Sequence, residues 1–282
     1  MSVRARESLD VAICIDRMHF VGVVPTIRSI LANAGRPQAL AFHVAVGAGE
    51  SDELLALLRE SFPDPSFRYE VREFRCTPFL DDYVRAGKDR TYAAYTSSVM
   101  NFARFYLGVI YPELGKYAYL DVDVIVQGDL AELFREATLE RHDLAAVRVA
   151  SFGTWEGGFK KDWPHLRGFD PGEPVFNNGI YVTELARWRK ALPRLEHWMR
   201  VHRRSMEDVV FGTQSIMNLA FYRNVQLLPP EWNVRPLGYD DAIPERTLRE
   251  AKILHWAGER KPWKPDGLYK EYWTPYAARP AG

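Results

Sequence analysis

The sequence predicts an α/β fold: a largely parallel sheet with helices packed on its faces. Three observations point there. Short β-branched apolar runs alternate with helical patterns from Leu9 to Phe74, the order that βαβ units require. The strands that follow are again apolar and separated by amphipathic stretches. The chain has 282 residues, 47% of them apolar, which suffices for a large core.

Leu9–Ile15 is apolar on every side and reads as a buried strand. Val23–Leu31 reads as a helix ended by Asn33 and Gly35. Leu40–Val46 is a second strand, and Ser51 is expected to cap a helix over Glu53–Arg59. Phe67–Phe74 alternates apolar and charged residues, as a half-exposed strand does. Thr77–Arg90 reads as loop and short helix, and Ser97–Val109 as a helix. Tyr117–Val126 is the most hydrophobic strand, interrupted only by Asp121 and Asp123. Ala145–Ala150 and Val175–Val182 are further strands. Phe152–Pro174, rich in Gly, Pro and Trp and without a period, reads as a long functional loop. Glu184–Val201 reads as an amphipathic helix broken near Pro193, and Val209–Phe221 as another helix.

Lys and Arg total 37, Asp and Glu 37, and the pI is near 7.1. That balance argues against a nucleic-acid-binding surface, and the apolar content excludes intrinsic disorder. Two cysteines are too few for a disulfide framework; Cys14 reads as a small buried hydrophobe, and a Cys14–Cys76 bond is left open by sequence but disfavoured. No window reaches the roughly 18 apolar residues of a membrane span, and residues 1–10 hold no signal-like stretch. The expectation is a cytoplasmic protein.

Three motifs carry chemistry. In Tyr119-Leu120-Asp121-Val122-Asp123-Val124, two acids inside an apolar strand are costly to bury unpaired, and their spacing puts both carboxylates on one face at the strand's end. Converging carboxylates suit a hard divalent cation, although Asp pairs also end strands and cap turns. His255-Trp256-Ala257-Gly258-Glu259-Arg260-Lys261-Pro262-Trp263 offers an imidazole that could complete a metal shell and tilt it from Mg²⁺ towards Mn²⁺. Gly258 would let backbone approach a ligand, and Lys261 would meet phosphate oxygens; alternatively His255 is a satisfied core histidine. Phe176-Asn177-Asn178-Gly179 could hydrogen-bond sugar hydroxyls, or simply form a turn.

Taken in order with Asp16, Asn101-Phe102-Ala103-Arg104, Gln214 with Asn218, and Trp232-Asn233, these segments resemble glycosyltransferase family 8, retaining enzymes that use UDP-sugars. Bacterial lipopolysaccharide galactosyl- and glucosyltransferases and glycogenin-like enzymes are of this kind. The resemblance runs from about Leu9 to Trp263. It implies a GT-A fold, a Rossmann-like mixed central sheet with helices on both faces. It divides the chain into one nucleotide-sugar transferase domain over residues 1–265 and an aromatic extension over 266–282. By the same resemblance Asp16 would bond uracil, with His19 stacked on it. Arg104 would reach the donor phosphates or sugar. Asp121 would contact ribose and metal, and Asp123 and His255 the metal. Gly258 and Lys261 would hold the diphosphate. Asn177 and Asn178 would lie near the donor sugar, and Gln214 under its anomeric carbon. The cofactor is expected to be Mn²⁺, with Mg²⁺ as substitute. The partners are a UDP-sugar donor, glucose or galactose, and a glycan, lipid-linked saccharide or small-molecule acceptor.

The chain departs from the family at three places. Asp16-Arg17-Met18-His19 stands where Asp-Asp-Asn-Tyr is common, Thr213 where an acid precedes the glutamine, and Arg148 and Val149 where another acid is expected. The donor-sugar pocket is thus atypical, while the metal and diphosphate parts are intact. A glutamine is a poor nucleophile, so attack from the leaving-group face is favoured over double displacement. A sugar-nucleotide nucleotidyltransferase is the competing enzyme, but no Gly-rich basic phosphate loop follows the first strand. A non-catalytic sugar-nucleotide or glycan-binding protein is the competing non-enzyme. Half the tryptophans (Trp232, Trp256, Trp263 and Trp273) fall in the last fifth of the chain, where basic residues slightly exceed acidic ones. Packing over the active site is favoured there over peripheral membrane contact.

Overall fold

The structure, a computed structural model, describes residues 8–88, 98–154, 157–160, 162–206 and 208–277. Its strands are β1 (Leu9–Cys14), β2 (Leu40–Val46), β3 (Arg68–Glu73), β4 (Lys116–Leu120), β5 (Val124–Val126), β6 (Leu144–Ser151), β7 (Pro174–Glu184), β8 (Val225–Leu228) and β9 (Ile253–His255). The chain divides into two compact units. The first comprises Met1–Glu73, Tyr117–Glu136 and Pro229–Gly282, the second Phe74–Lys116 and Ala137–Leu228.

In the first unit the strand order is β3-β2-β1-β4, and every neighbouring pair is parallel. The helix Phe20–Ala32 connects β1 to β2, and the helix Ser51–Ser61 connects β2 to β3. Val11, Ala12, Ile13, Phe42 and Val44 are fully buried, as expected of strands covered on both faces. The chain winds outward through β2 and β3, then returns to the other side of β1 as β4. The carboxyl ends of β1 and β4 therefore mark a topological switch point, the place where open α/β sheets bind ligands. β5 and β9 form a separate antiparallel pair in which Val124 lies opposite His255.

Two local expectations change, and two further local features are settled. The strand over Tyr117–Val126 is broken: β4 ends at Leu120, residues 121–123 bend, and β5 begins at Val124. Ser51 is the first helical residue and not its cap; its hydroxyl donates to Glu73 at 2.7 Å, while the Glu50 carboxylate accepts from the Gly47 amide at 3.0 Å. Asp16 does not cap the turn it precedes, because its carboxylate is engaged by His19. Both cysteines are free, Cys14 buried and Cys76 exposed.

In the second unit β6 pairs antiparallel with β7, with register shifts around Arg148, and parallel with β8. The helix Leu185–Arg204 runs unbroken through Pro193. Buried Trp188, Ala191, Leu195 and Met199 anchor the turns on both sides, so packing outweighs the one lost backbone bond. The expected helix over Ser97–Val109 is three short pieces, Val99–Ala103, Arg104–Tyr106 and Leu107–Ile110; Ser97 lies outside the described residues. Thr77–Arg90 holds the helix Pro78–Gly87, whose Leu80 amide donates to Thr77 Oγ1 at 3.2 Å; Arg90 lies outside the described residues. The segment after β6 is more than a loop: Phe152, Phe159 and Trp163 stack in series over buried Val175 and Val209. Helix starts at Thr213, not Val209, and ends at Ala220.

His202, on the long helix, is fully buried against the Tyr83 hydroxyl, to which its Nδ1 is hydrogen-bonded. Burial lowers its pKa to about 4. The unfolded imidazole takes up a proton near pH 6.5, so between those values the unfolded state binds more protons. Stability is therefore expected to fall as the pH drops from 6.5 towards 4, by roughly 3 kcal/mol from this group. Urea unfolding across that range checks it; a His202→Asn variant should lose this part of the pH dependence.

Candidate active site

The first unit carries seven of the residues singled out by sequence. Asp16 follows the carboxyl end of β1, and Asp121 that of β4, so both stand at the switch point. His19 Nδ1 donates to Asp16 at 2.6 Å, and this bond raises the His19 pKa against the opposing effect of burial. The His19 ring lies edge-on to Trp263 at 6.4 Å. Met18, beside it, is 80% exposed. The Tyr119 hydroxyl donates to Asp121 at 3.2 Å.

Asp123 is buried, and β9 brings its partners to it. The Trp256 amide donates to the Asp123 carbonyl at 2.9 Å, which seats His255 and the following segment beside the bend. His255 Nε2 lies 3.5 Å from one carboxylate oxygen, and Lys261 Nζ bonds the other. Lys261 also donates to the Trp256 carbonyl at 2.8 Å. Burial alone would raise the Asp123 pKa; Lys261 and His255 more than reverse this and hold the carboxyl below its usual range.

Asp121, Asp123 and His255 each offer one ligand atom, all within 4.8 Å of one another. The buried His255 ring has its Nδ1 2.9 Å from the Asn233 side-chain oxygen. That oxygen can only accept, so Nδ1 carries a hydrogen, and Nε2 is the ring nitrogen turned towards the carboxylates. Two carboxylates and an imidazole so oriented fit a divalent cation of the Mn²⁺ kind. Asn233 is a positioning partner that the Trp232-Asn233 motif pointed to without assigning a role.

Gly258 has φ +129°, and a Cβ there would lie 2.6 Å from the Gly238 carbonyl carbon. Its need for glycine thus arises from protein packing against Gly238 and Tyr239. In the extension, Trp273 packs against Trp256 and Trp263 at ring separations of 5.6 and 5.3 Å, and the Trp256 indole donates to the Leu268 carbonyl at 2.7 Å.

The second unit carries the other four. Arg104 is buried, not a surface helix residue; its Nη1 donates to the Asn178 carbonyl and its Nε to the Asn101 carbonyl, both at 2.9 Å. Asn177-Asn178-Gly179 lies inside β7 and is no turn. Asn177 Nδ2 donates to Gln214 Oε1, and Asn178 Nδ2 to Thr213 Oγ1, each at 2.9 Å. Asn218 clamps the same strand, exchanging hydrogen bonds with the Phe176 amide and carbonyl at 2.9 Å. One network therefore joins Arg104, both asparagines, Thr213 and Gln214. The neutral Thr213 satisfies Asn178 without bringing in a charge.

A parallel sheet with acids at its switch point and an Asp-Asp-His cluster beside it is the arrangement expected of glycosyltransferases of the GT-A class. Comparison with known proteins carries the assignment further. The model of glycosyl transferase family 8 matches residues 10–267, and the chain belongs to that family of glycosyltransferases. It is 30% identical over 290 residues to probable galacturonosyltransferase-like 9 of Arabidopsis thaliana, covering 94% of this chain and 71% of the relative. It is 27% identical over 304 residues to human glycosyltransferase 8 domain-containing protein 1, covering 98% and 79%. Among solved structures, the galactosyltransferase LgtC in complex with donor and acceptor sugar analogues superposes with a TM-score of 0.73 at 20% identity, covering 95% of each chain. The glycosyltransferase GlyE of Streptococcus pneumoniae gives 0.68 at 21% identity, covering 96% of this chain and 60% of that one. Those likenesses establish the GT-A fold. Among the described residues no helix is long and apolar enough to cross a membrane.

Proposed function

We propose that this glycosyltransferase moves a hexose, glucose or galactose, from a UDP-sugar to a hydroxyl of a glycan or related acceptor, with retention and with a divalent cation, Mn²⁺ before Mg²⁺. The observation that carries the proposal is the convergence of Asp121, Asp123 and the oriented Nε2 of His255. These three would hold the cation. The chemistry a cation supplies there is Lewis-acid withdrawal of charge from the departing diphosphate. Lys261 is freed from Asp123 to neutralise the same oxygens as a fixed point charge. Asp16 and His19 bind the uracil, and the Gly258 backbone and Lys261 meet the diphosphate. Arg104, Asn177 and Asn178 hold the donor sugar. Gln214, an amide and a poor nucleophile, orients the anomeric centre while a donor phosphate oxygen takes the acceptor proton. Two free cysteines suit a reducing compartment, so the proposed site of action is the cytoplasm.

A second donor reading rests on one observation. Where the family places two acids, this chain has Thr213 and the Arg148-Val149 pair, and Thr213 meets Asn178 without charge. A pocket stripped of negative charge favours a uronic acid sugar, and the plant relatives are named galacturonosyltransferase-like. A panel of UDP-glucose, UDP-galactose, UDP-glucuronate and UDP-galacturonate, assayed for Mn²⁺-dependent UDP release, decides between the readings. Turnover of a neutral hexose donor supports the first, and exclusive use of uronates the second. UDP release independent of any divalent cation would contradict both.

A further inference from the structure

The helix Phe20–Ala32 carries a polar stripe that none of the motifs above accounts for. Gly22, Thr26, Ser29 and Asn33 follow one another at spacings of four, three and four, and so share one face of the helix. Thr26 and Ser29 are fully buried among Val23, Ile27 and Ile30. Polar side chains are kept in such a place only if they are hydrogen-bonded, and these are. Thr26 Oγ1 lies 3.0 Å from both the Val122 and the Val124 carbonyl oxygens. Ser29 Oγ accepts from the Val126 amide at 3.0 Å, and Asn33 Nδ2 donates to the Val126 carbonyl at 2.9 Å. The helix itself comes close here: a Cβ on Gly22 would sit 2.4 Å from the Val122 carbonyl oxygen.

The backbone of residues 122–127 is thereby divided. On one edge the Asp123 carbonyl accepts from Trp256, and the Gln127 amide donates to the Lys252 carbonyl, along β9. On the other edge Val122, Val124 and Val126 turn their groups to the helix. That alternation is the pattern of a strand between two neighbours, with helix side chains standing where the second neighbour would be. The Thr26 hydroxyl reaches the two carbonyls that flank Asp123, at the bend that carries the carboxylates.

We propose that Gly22 and Thr26 are positioning residues for the metal-binding carboxylates, setting the bend that carries them, while Ser29 and Asn33 hold β5 behind it. This rests on the metal-dependent reading above. Mn²⁺ affinity in the presence of UDP, measured by titration calorimetry, tests it alongside the melting temperature and the KM and kcat for donor. Thr26→Val should weaken Mn²⁺ binding about tenfold or more, as loss of an outer partner of a metal site does, and Thr26→Ser should restore it. Ser29→Ala, one turn further from the carboxylates, should lower the melting temperature and leave Mn²⁺ affinity near wild type. If Thr26→Val does not fold, Gly22→Ala carries the same expectation. Wild-type Mn²⁺ affinity in folded Thr26→Val, or equal losses in Thr26→Val and Ser29→Ala, would overturn the proposal while Asp123→Ala still abolishes binding. A wild-type protein that binds UDP equally with and without Mn²⁺ would overturn the functional reading, and the proposal with it.

Discussion

Replacing Asp123 with alanine is expected to abolish Mn²⁺-dependent UDP binding, with a loss of at least about 100-fold. Three features of this carboxylate make its effect the largest. It is the buried carboxylate of the Asp-Asp-His cluster, Asp121 being the more exposed one. It faces both His255 and Lys261, and its removal leaves the lysine without its carboxylate partner. Its backbone carbonyl holds Trp256, and alanine keeps that bond, so the variant should fold. Calorimetric titration of UDP with and without Mn²⁺ reads the effect. Unchanged UDP affinity in the presence of Mn²⁺ would remove Asp123 from the metal site.

Replacing Lys261 with alanine should act on two quantities in different ways. Turnover should fall about 100- to 1000-fold, the usual cost of removing a preorganised charge from a developing anion. The cation-free protein should also lose about 3 kcal/mol or more of stability, because Asp123 is left buried with only His255 for company. Mn²⁺ should return much of that stability, since a cation bound to Asp123 replaces the missing ammonium. Urea unfolding with and without Mn²⁺ separates the two effects. A Lys261→Ala protein that is as stable as wild type without metal would show that the ion pair contributes nothing to the fold.

Much of the first unit was legible in the residues themselves. β2 spans Leu40–Val46 as expected, because an unbroken apolar run bounded by polar turns admits little else. The meeting of Asp121, Asp123 and His255 was legible too, since acids and a histidine among apolar neighbours need polar partners close by. The break between β4 and β5 was not. Residues on both sides of it are equally apolar, and what bends the chain is a hydroxyl and a missing Cβ on a helix far away in sequence. The strand expected over Val175–Val182 holds through Asn177-Asn178-Gly179, which are turn residues in isolation, because Gln214, Thr213 and Asn218 supply the bonds that keep them inside β7. The burial of Arg104 is likewise set by tertiary structure, through the carbonyls of Asn101 and Asn178. Pro193 breaks helices by its own chemistry and fails to do so here, because the flanking turns are packed.

The most direct test of the central claim is a crystal of the protein grown with UDP and Mn²⁺, with anomalous diffraction recorded at the manganese edge. The account predicts one strong anomalous peak within bonding distance of the Asp121 and Asp123 carboxylates and of His255 Nε2, with the diphosphate on its far side and Lys261 turned from Asp123 to a phosphate oxygen. Ordered UDP with no manganese at these three residues, or manganese bound elsewhere, would contradict it.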